Sequence, residues 1–248
     1  MKQIPNLFTL LNLFFGCVAI VFILQYNPDD GLNLSGISLL LGCVFIFLAS
    51  VIDFVDGFVA RLFKASSEMG EQLDSLADVV SFGVAPGMIL FKLLEISFAN
   101  NPAISNPLWL QLPAFILPCA AAWRLAKFNL DKEQRYYFKG VPTPAAGLVI
   151  ASLPLARVGK WNIEALYSNP VIIYAIIVIV SFLMVSNIPM ISMKFKSKAV
   201  KDNIDKIIIA VIAVIAAIVF QWAAVPIVFV AYVIVSLIFR PGKQSVHY

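Results

Sequence analysis

The strongest constraint on this chain is a succession of about eight apolar runs, near residues 7–25, 34–63, 71–96, 107–129, 142–157, 170–188, 204–221 and 223–240. Most approach the ~20 residues that a helix needs to cross bilayer hydrocarbon. The fifth is short. The last two are separated by almost nothing, which leaves a merged or re-entrant pair open. With 61% hydrophobic and only 13% charged residues, a soluble domain of this kind could not cover its surface. The expected fold class is all-α, a polytopic membrane helix bundle of about eight transmembrane helices.

Charge placement orients the bundle. Basic residues cluster on alternate connections: Lys2; Arg61 and Lys64; Arg124, Lys127, Lys132, Arg135 and Lys139; Lys194, Lys196, Lys198, Lys201 and Lys206; Arg240 and Lys243. The other connections hold Arg157 and Lys160, and Lys92 lies near the outer end of the third run. By the positive-inside rule both termini face the cytosol. The net charge of +4 is thus an orientation signal and not a nucleic-acid one. The run from Leu7 to Leu24 is long enough to span and ends without a small-x-small cleavage site, so it reads as a span and not a signal peptide. Phe14-Phe15-Gly16-Cys17 lacks the small residue a lipoprotein site needs before its glycine. Cys17, Cys43 and Cys119 have no metal-ligand spacing and read as small core residues; the single His247 lies in the tail.

Against this apolar background, residues 53 to 78 stand out: Asp53, Asp56, Gly57, Ala60, Arg61, Gly70, Asp74 and Asp78. On a helix of about 100° per residue, Asp53, Asp56, Gly57 and Ala60 share one face, and Asp74 and Asp78 share another. Gly57 and Ala60 leave the first face nearly bare, so a backbone or ligand can come close. Four carboxylates converging beside only Arg61 and Lys64 would repel one another, and one or two divalent cations are the natural compensation. Carboxylate-only ligation suits hard ions such as Mg²⁺, Mn²⁺ or Ca²⁺, not Zn²⁺. Displacement at phosphorus uses such a cluster. The plainer alternative is a pair of polar helix ends with the acids salt-bridged to Arg61 and Lys64. Ionisable groups in membrane helices favour the functional reading. The second run is longer than the hydrocarbon, so its last turns project toward the cytosol and carry the acids to the interface.

The pattern D-x2-D-G-x2-A-R-x8-G-x3-D-x3-D resembles in full the signature of the CDP-alcohol phosphotransferase family. SLADVVSFGVAPG from Ser75 to Gly87 is similar to its bacterial and archaeal serine-accepting branch. So are PNLFTLLN near the start, RLAKFN from Arg124 to Asn129, GVPTPAAG from Gly140 to Gly147 and LMVSNIP from Leu183 to Pro189. The resemblance covers roughly residues 5–195. It implies a membrane core over residues 1–190 with six family helices; the lysine run and the last two apolar runs add a basic cytosolic loop and two C-terminal helices over 191–248. It implies a transferase that moves a phosphatidyl group from CDP-diacylglycerol to L-serine and releases CMP. Mg²⁺ or Mn²⁺, as two ions, would sit on Asp53, Asp56, Asp74 and Asp78, with Asp78 also the general base. Gly57, Ala60, Arg61 and Gly70 would line the nucleotide site. Family members commonly form homodimers, which this sequence neither supports nor opposes.

Other residues carry two readings each. Thr9 and Asn12 share a face of the first helix and can hydrogen-bond a nucleotide or another helix. Arg124, Lys127 and Asn129 are either orientation signals or a cationic acceptor pocket, since guanidinium forks suit phosphate and carboxylate. Thr143, between Pro142 and Pro144, is a rigid helix-entry turn; an acceptor-binding role rests on the resemblance. Gly83, Pro86 and Gly87 can bend the third helix past Asp78 or serve packing. Two rival functions stay open: the same chemistry with glycerol 3-phosphate or inositol phosphate as acceptor, and a divalent-cation transporter, which would need acids at mid-membrane.

Overall fold

The computed structural model describes residues 4–27, 34–62, 67–99, 108–130, 138–156, 169–191 and 203–239. Lys64, Lys132, Arg135, both termini and the loop lysines Lys194 to Lys201 lie outside the described residues. The bundle is built from α1 (Ile4–Leu24), α2 (Leu34–Leu62), α3 (Glu68–Asp78), a π-helical segment (Val79–Val84), α4 (Ala85–Ala99), α5 (Ile116–Leu130) and α6 (Thr143–Ala156). Then come α7 (Pro170–Val185), α8 (Ile204–Phe220) and α9 (Ala224–Ile238). Short 3₁₀ turns precede α5 and α9.

Among the described residues, five helical stretches are long and apolar enough to cross a membrane: Pro5–Leu24, Ile37–Leu62, Glu68–Ala99, Leu108–Leu130 and Ile204–Ile238. The protein is an all-α polytopic membrane bundle. Length alone does not deliver the expected count of about eight, because α6 and α7 have only 14 and 16 residues and Ile204–Ile238 counts as one stretch. The C-terminal pair is not one merged helix. Gln221 adopts φ 52° at the break, and α8 and α9 pack against each other across it.

Each long helix turns one stripe inward, and that stripe carries its polar residues. On α1 the buried positions are Pro5, Thr9, Asn12, Gly16, Ala19 and Ile23, at the spacing of one helical face. Leu7, Leu10, Phe14 and Val21 point outward, as expected where lipid and not water lies outside. On α2 the buried stripe Leu39, Cys43, Ile46 and Ala49 continues into Asp56. Cys17 and Cys119 correct the expectation of three core cysteines: both are exposed, and only Cys43 is buried. An outward thiol meets lipid without penalty, so burial is not required of it.

The π-helical segment sits at the centre, touching α1, α4, α5 and α6. Glycines let the neighbours close on it. A Cβ on Gly16 would lie 2.9 Å from Ser81 Cα, and one on Gly147 would lie 3.0 Å from Phe82 Cα. Phe82 is fully buried there. Gly83 and Gly87 admit Pro118 and Ala121 of α5 rather than a cavity: their added Cβ atoms would meet Ala121 Cβ at 3.0 Å and Pro118 Cδ at 3.1 Å. Past Asp78 the deviation is therefore a widened helical turn, a type that recurs at functional sites.

Candidate active site

α3 begins the site. Ser67 caps it by accepting from Gly70 N at 3.0 Å, and Glu68 and Glu71 occupy its first turn, where the helix dipole favours negative charge. Gly70 lies against α1, since an added Cβ would meet Asn6 Oδ1 at 3.2 Å. One and two turns further on, Asp74 and Asp78 face the end of α2. There the carboxylate oxygens of Asp53, Asp74 and Asp78 lie within 4.8 Å of one another. Asp78 is buried, while Asp53 and Asp74 are partly exposed.

Asp56 is near but differently employed. Its carboxylate accepts a hydrogen bond from the Thr9 hydroxyl, whose single proton is also within reach of Pro5 O, 3.2 Å from Thr9 Oγ1. Asp56 remains close enough for its charge to act on Asp53 and Asp74. The structure thus gathers three of the four expected ligands and holds the fourth beside them. α1 supplies a second tether, with Asn12 Nδ2 donating to Asp78 Oδ1 at 3.4 Å. Thr9 and Asn12 therefore bond the acids of neighbouring helices. Asn12 Oδ1 stays buried without a partner in the protein.

No salt bridge neutralises the cluster among the described residues. An ion pair does form between Lys92 and Glu95 at 2.8 Å, on α4. Arg61 is exposed at the end of α2 and does not pair with the acids. This removes the Arg61 half of the salt-bridged alternative; Lys64 lies outside the described residues. Gly57 faces open space, its nearest added-Cβ neighbour being Arg61 Nη1 at 3.9 Å, and Ala60 on the same face is partly exposed. A narrow, open-sided group of carboxylate oxygens fits a hard divalent cation, whose preferred ligands are oxygens.

The basic side faces Asp78 from α5. Arg124 is buried at 8% exposure. Its Nη1 donates to Thr143 Oγ1 at 2.9 Å, its Nε has no partner in the protein, and its charge acts on Asp78. Lys127 Nζ donates to Asn187 Oδ1 at 2.6 Å, and Asn129 Nδ2 to Ser75 Oγ at 2.9 Å. Thr143 opens α6 and is fully buried. Sequence reasoning passed over Ser75, Asn187 and Ser81, whose hydroxyl donates to Asn12 O at 3.0 Å. Ser75 and Asn187 lie inside the SLAD and LMVSNIP stretches already singled out, but only the folded chain supplies their partners.

Comparisons with known proteins match most of the chain, including the stretch that carries these residues. A family model described as CDP-alcohol phosphatidyltransferase matches residues 2–189. A Bacillus subtilis protein named CDP-diacylglycerol–serine O-phosphatidyltransferase is 31% identical over 188 residues, covering 76% of this chain and 89% of the relative. A Helicobacter pylori protein of the same name is 30% identical over 186 residues, covering 74% of this chain and 70% of its own. One from Mycobacterium leprae is 28% identical over 228 residues, covering 88% of this chain and 67% of its own.

Proposed function

Because the chain belongs to the CDP-alcohol phosphatidyltransferase family, a metal-dependent family of phosphotransferases, we propose that it transfers the phosphatidyl group of CDP-diacylglycerol to the hydroxyl of L-serine. The products are phosphatidylserine and CMP. The observation that carries this reading is the position of Asp78. Its carboxylate belongs to the three-acid group and takes a hydrogen bond from Asn12. The relatives' names support serine as the acceptor.

The serine hydroxyl oxygen bonds to the phosphorus that carries the diacylglycerol. The bond from that phosphorus to the bridging oxygen breaks, and CMP leaves with that oxygen. The hydroxyl proton passes to Asp78, the general base. Arg124 holds the serine carboxylate through its unused Nε–H, a charge-assisted bond, with Lys127, Asn129 and Thr143 around it. Gly57, Ala60, Arg61 and Gly70 border the nucleotide, which the open face at Gly57 supports. Asp53, Asp74 and Asp78, with Asp56 beside them, would hold Mg²⁺ or Mn²⁺. When bound, such ions supply charge neutralisation for the diphosphate and the leaving oxygen.

The active site opens to the cytosol, and both termini lie there. The basic connections support this, as does α2, whose 29 residues exceed what ~30 Å of hydrocarbon requires. Cysteines placed at Ser66 and Asn101 should label from opposite faces of sealed vesicles. Labelling from one face would sink this orientation.

The deciding assay uses purified protein, CDP-diacylglycerol, Mn²⁺ or Mg²⁺, and a panel of labelled acceptors. CMP and labelled phosphatidylserine should appear together with serine. Product with glycerol 3-phosphate or inositol phosphate instead would replace the acceptor and keep the chemistry. Metal flux into sealed vesicles without CMP release would replace the chemistry.

A further inference from the structure

The family match ends at residue 189, yet the structure continues its bonding network past that point. Residues Phe138–Lys139 (β1) pair antiparallel with Pro189–Met190 (β2), Phe138 opposite Met190 and Lys139 opposite Pro189. Gly140 N donates to Ile188 O at 2.8 Å, and Val141 N to Leu183 O at 3.0 Å. Gly140 has φ 76°, and an added Cβ would lie 2.5 Å from Met184 O, so only glycine lets the chain close here. Three residues on is Thr143, the partner of Arg124. Lys127 bonds Asn187 in the same segment. The segment 183–191 therefore anchors Lys127 directly and Arg124 through Thr143.

α9 holds that segment in turn. Tyr232 Oη donates to Ile191 O at 3.1 Å, and Ser236 Oγ accepts from Ile191 N at 3.3 Å. Both backbone groups of Ile191, the residue after β2, are thus fixed by one face of α9. Phe229, Tyr232 and Val233 pack against the main core. The Tyr232 side chain also lies within electrostatic reach of Arg124.

We infer that α9, outside the matched family region, is part of the acceptor pocket's support, and that Tyr232 is a positioning residue for the acceptor. It acts by fixing Ile191 and, through β2 and β1, the Thr143–Arg124 pair. This rests on the acceptor-side role of Arg124 proposed above.

The test is Tyr232→Phe, which keeps the ring and removes only the hydroxyl, measured in the full-length purified protein. The KM for serine should rise about fivefold, the effect of one neutral hydrogen bond. The KM for CDP-diacylglycerol should stay at its original value, and the Tm should fall only slightly, by the loss of that one hydrogen bond. Tyr174→Phe is the control, because Tyr174 Oη donates to Leu110 O at 2.6 Å, away from the acids. It should leave both KM values unchanged. An unchanged serine KM in Tyr232→Phe overturns the inference. So does a parallel rise in both KM values with a larger fall in Tm, which marks a general packing role. If the unaltered protein prefers another alcohol, the serine assignment fails, and the same comparison is run with that alcohol's KM.

Discussion

The two halves of the site are held in opposite ways. On the acid half, Asp53, Asp74 and Asp78 crowd within 4.8 Å, and no cationic side chain pairs with them among the described residues. On the basic half, Arg124, Lys127 and Asn129 each donate to a neutral protein oxygen, on Thr143, Asn187 and Ser75. Like charges at such distances repel, the more so away from water. The fold leaves that repulsion in place where a pairing with Arg124 or Lys127 could have relieved it. The acid half is therefore completed by what binds it, whereas the basic half is held in place by the chain and leaves Arg124 Nε for a ligand. Substitutions in the acid half should act on chemistry and metal response, and those in the basic half on the KM of one substrate.

The largest expected effect breaks the acid half at its centre. Asn in place of Asp78 keeps the size and one oxygen but cannot take the hydroxyl proton. Asp78→Asn should lose about 10²- to 10⁴-fold in turnover at saturating Mn²⁺, the usual contribution of base catalysis. Binding of CDP-diacylglycerol should persist, because Asp53, Asp56 and Asp74 remain. CMP release against Mn²⁺ concentration, beside a nucleotide-binding titration, makes the measurement. Near-normal turnover at high metal would reduce Asp78 to a ligand and move the base elsewhere.

The next effect sharpens the contrast from the basic side. Arg124→Ala should raise the KM for serine about 10- to 150-fold, the loss of one charge-assisted hydrogen bond, with a much smaller change for CDP-diacylglycerol. Lys127→Ala should do the same more weakly, since Lys127 is farther out and already bonds Asn187. An effect confined to the lipid substrate would assign this half to the nucleotide phosphates.

The two halves also differ in how far the sequence discloses them. The acids were legible because carboxylates are rare in an apolar chain and their i, i+3 and i+4 spacing fixes a helical face. Even the split role of Asp56 has a trace, in Thr9 on the inward stripe of α1. The basic half was legible only as a list of residue types. Arg124 and Thr143 are 19 residues apart, on α5 and α6, and Lys127 and Asn187 are 60 residues apart. No local period encodes such pairings. Of the π-helical turn at Val79–Val84 the sequence shows only Gly83, Pro86 and Gly87, which suit a bend or close packing. Its geometry depends on Gly16 and Gly147, from two distant helices, closing on Ser81 and Phe82. The bundle class followed from apolar run length, but the number of spans did not, because α6 and α7 fall short of a bilayer's thickness.

A smaller effect tests the stored repulsion directly. Asp53→Asn removes one of three crowded charges, so the metal-free protein should have a slightly higher Tm than the original. The rise in Tm produced by Mn²⁺ should shrink, because a ligand that binds only the folded state stabilises it in proportion to its affinity. Extra Mn²⁺ should restore part of the turnover. A lower metal-free Tm would mean the carboxylates are satisfied within the fold, and the contrast between the halves would fail.

The smallest structural perturbation separates a glycine kept for a ligand from one kept for the fold. Gly57 sits on the acid face of α2 with nothing nearer its added Cβ than Arg61 Nη1 at 3.9 Å. Alanine in a helix interior is favoured over glycine by up to about 1 kcal/mol. Gly57→Ala should therefore fold as well as the original or slightly better, with an unchanged or higher Tm. If CDP-diacylglycerol lies along that face, the added methyl occupies its space, and the KM for the lipid should rise while the KM for serine stays put. Gly16→Ala is the contrasting substitution. Its methyl meets Ser81 Cα at 2.9 Å, so it should lower the Tm and both activities together. A Gly57→Ala protein with an unchanged lipid KM would leave the bare face of α2 without an occupant, and the nucleotide would have to lie against α3 instead.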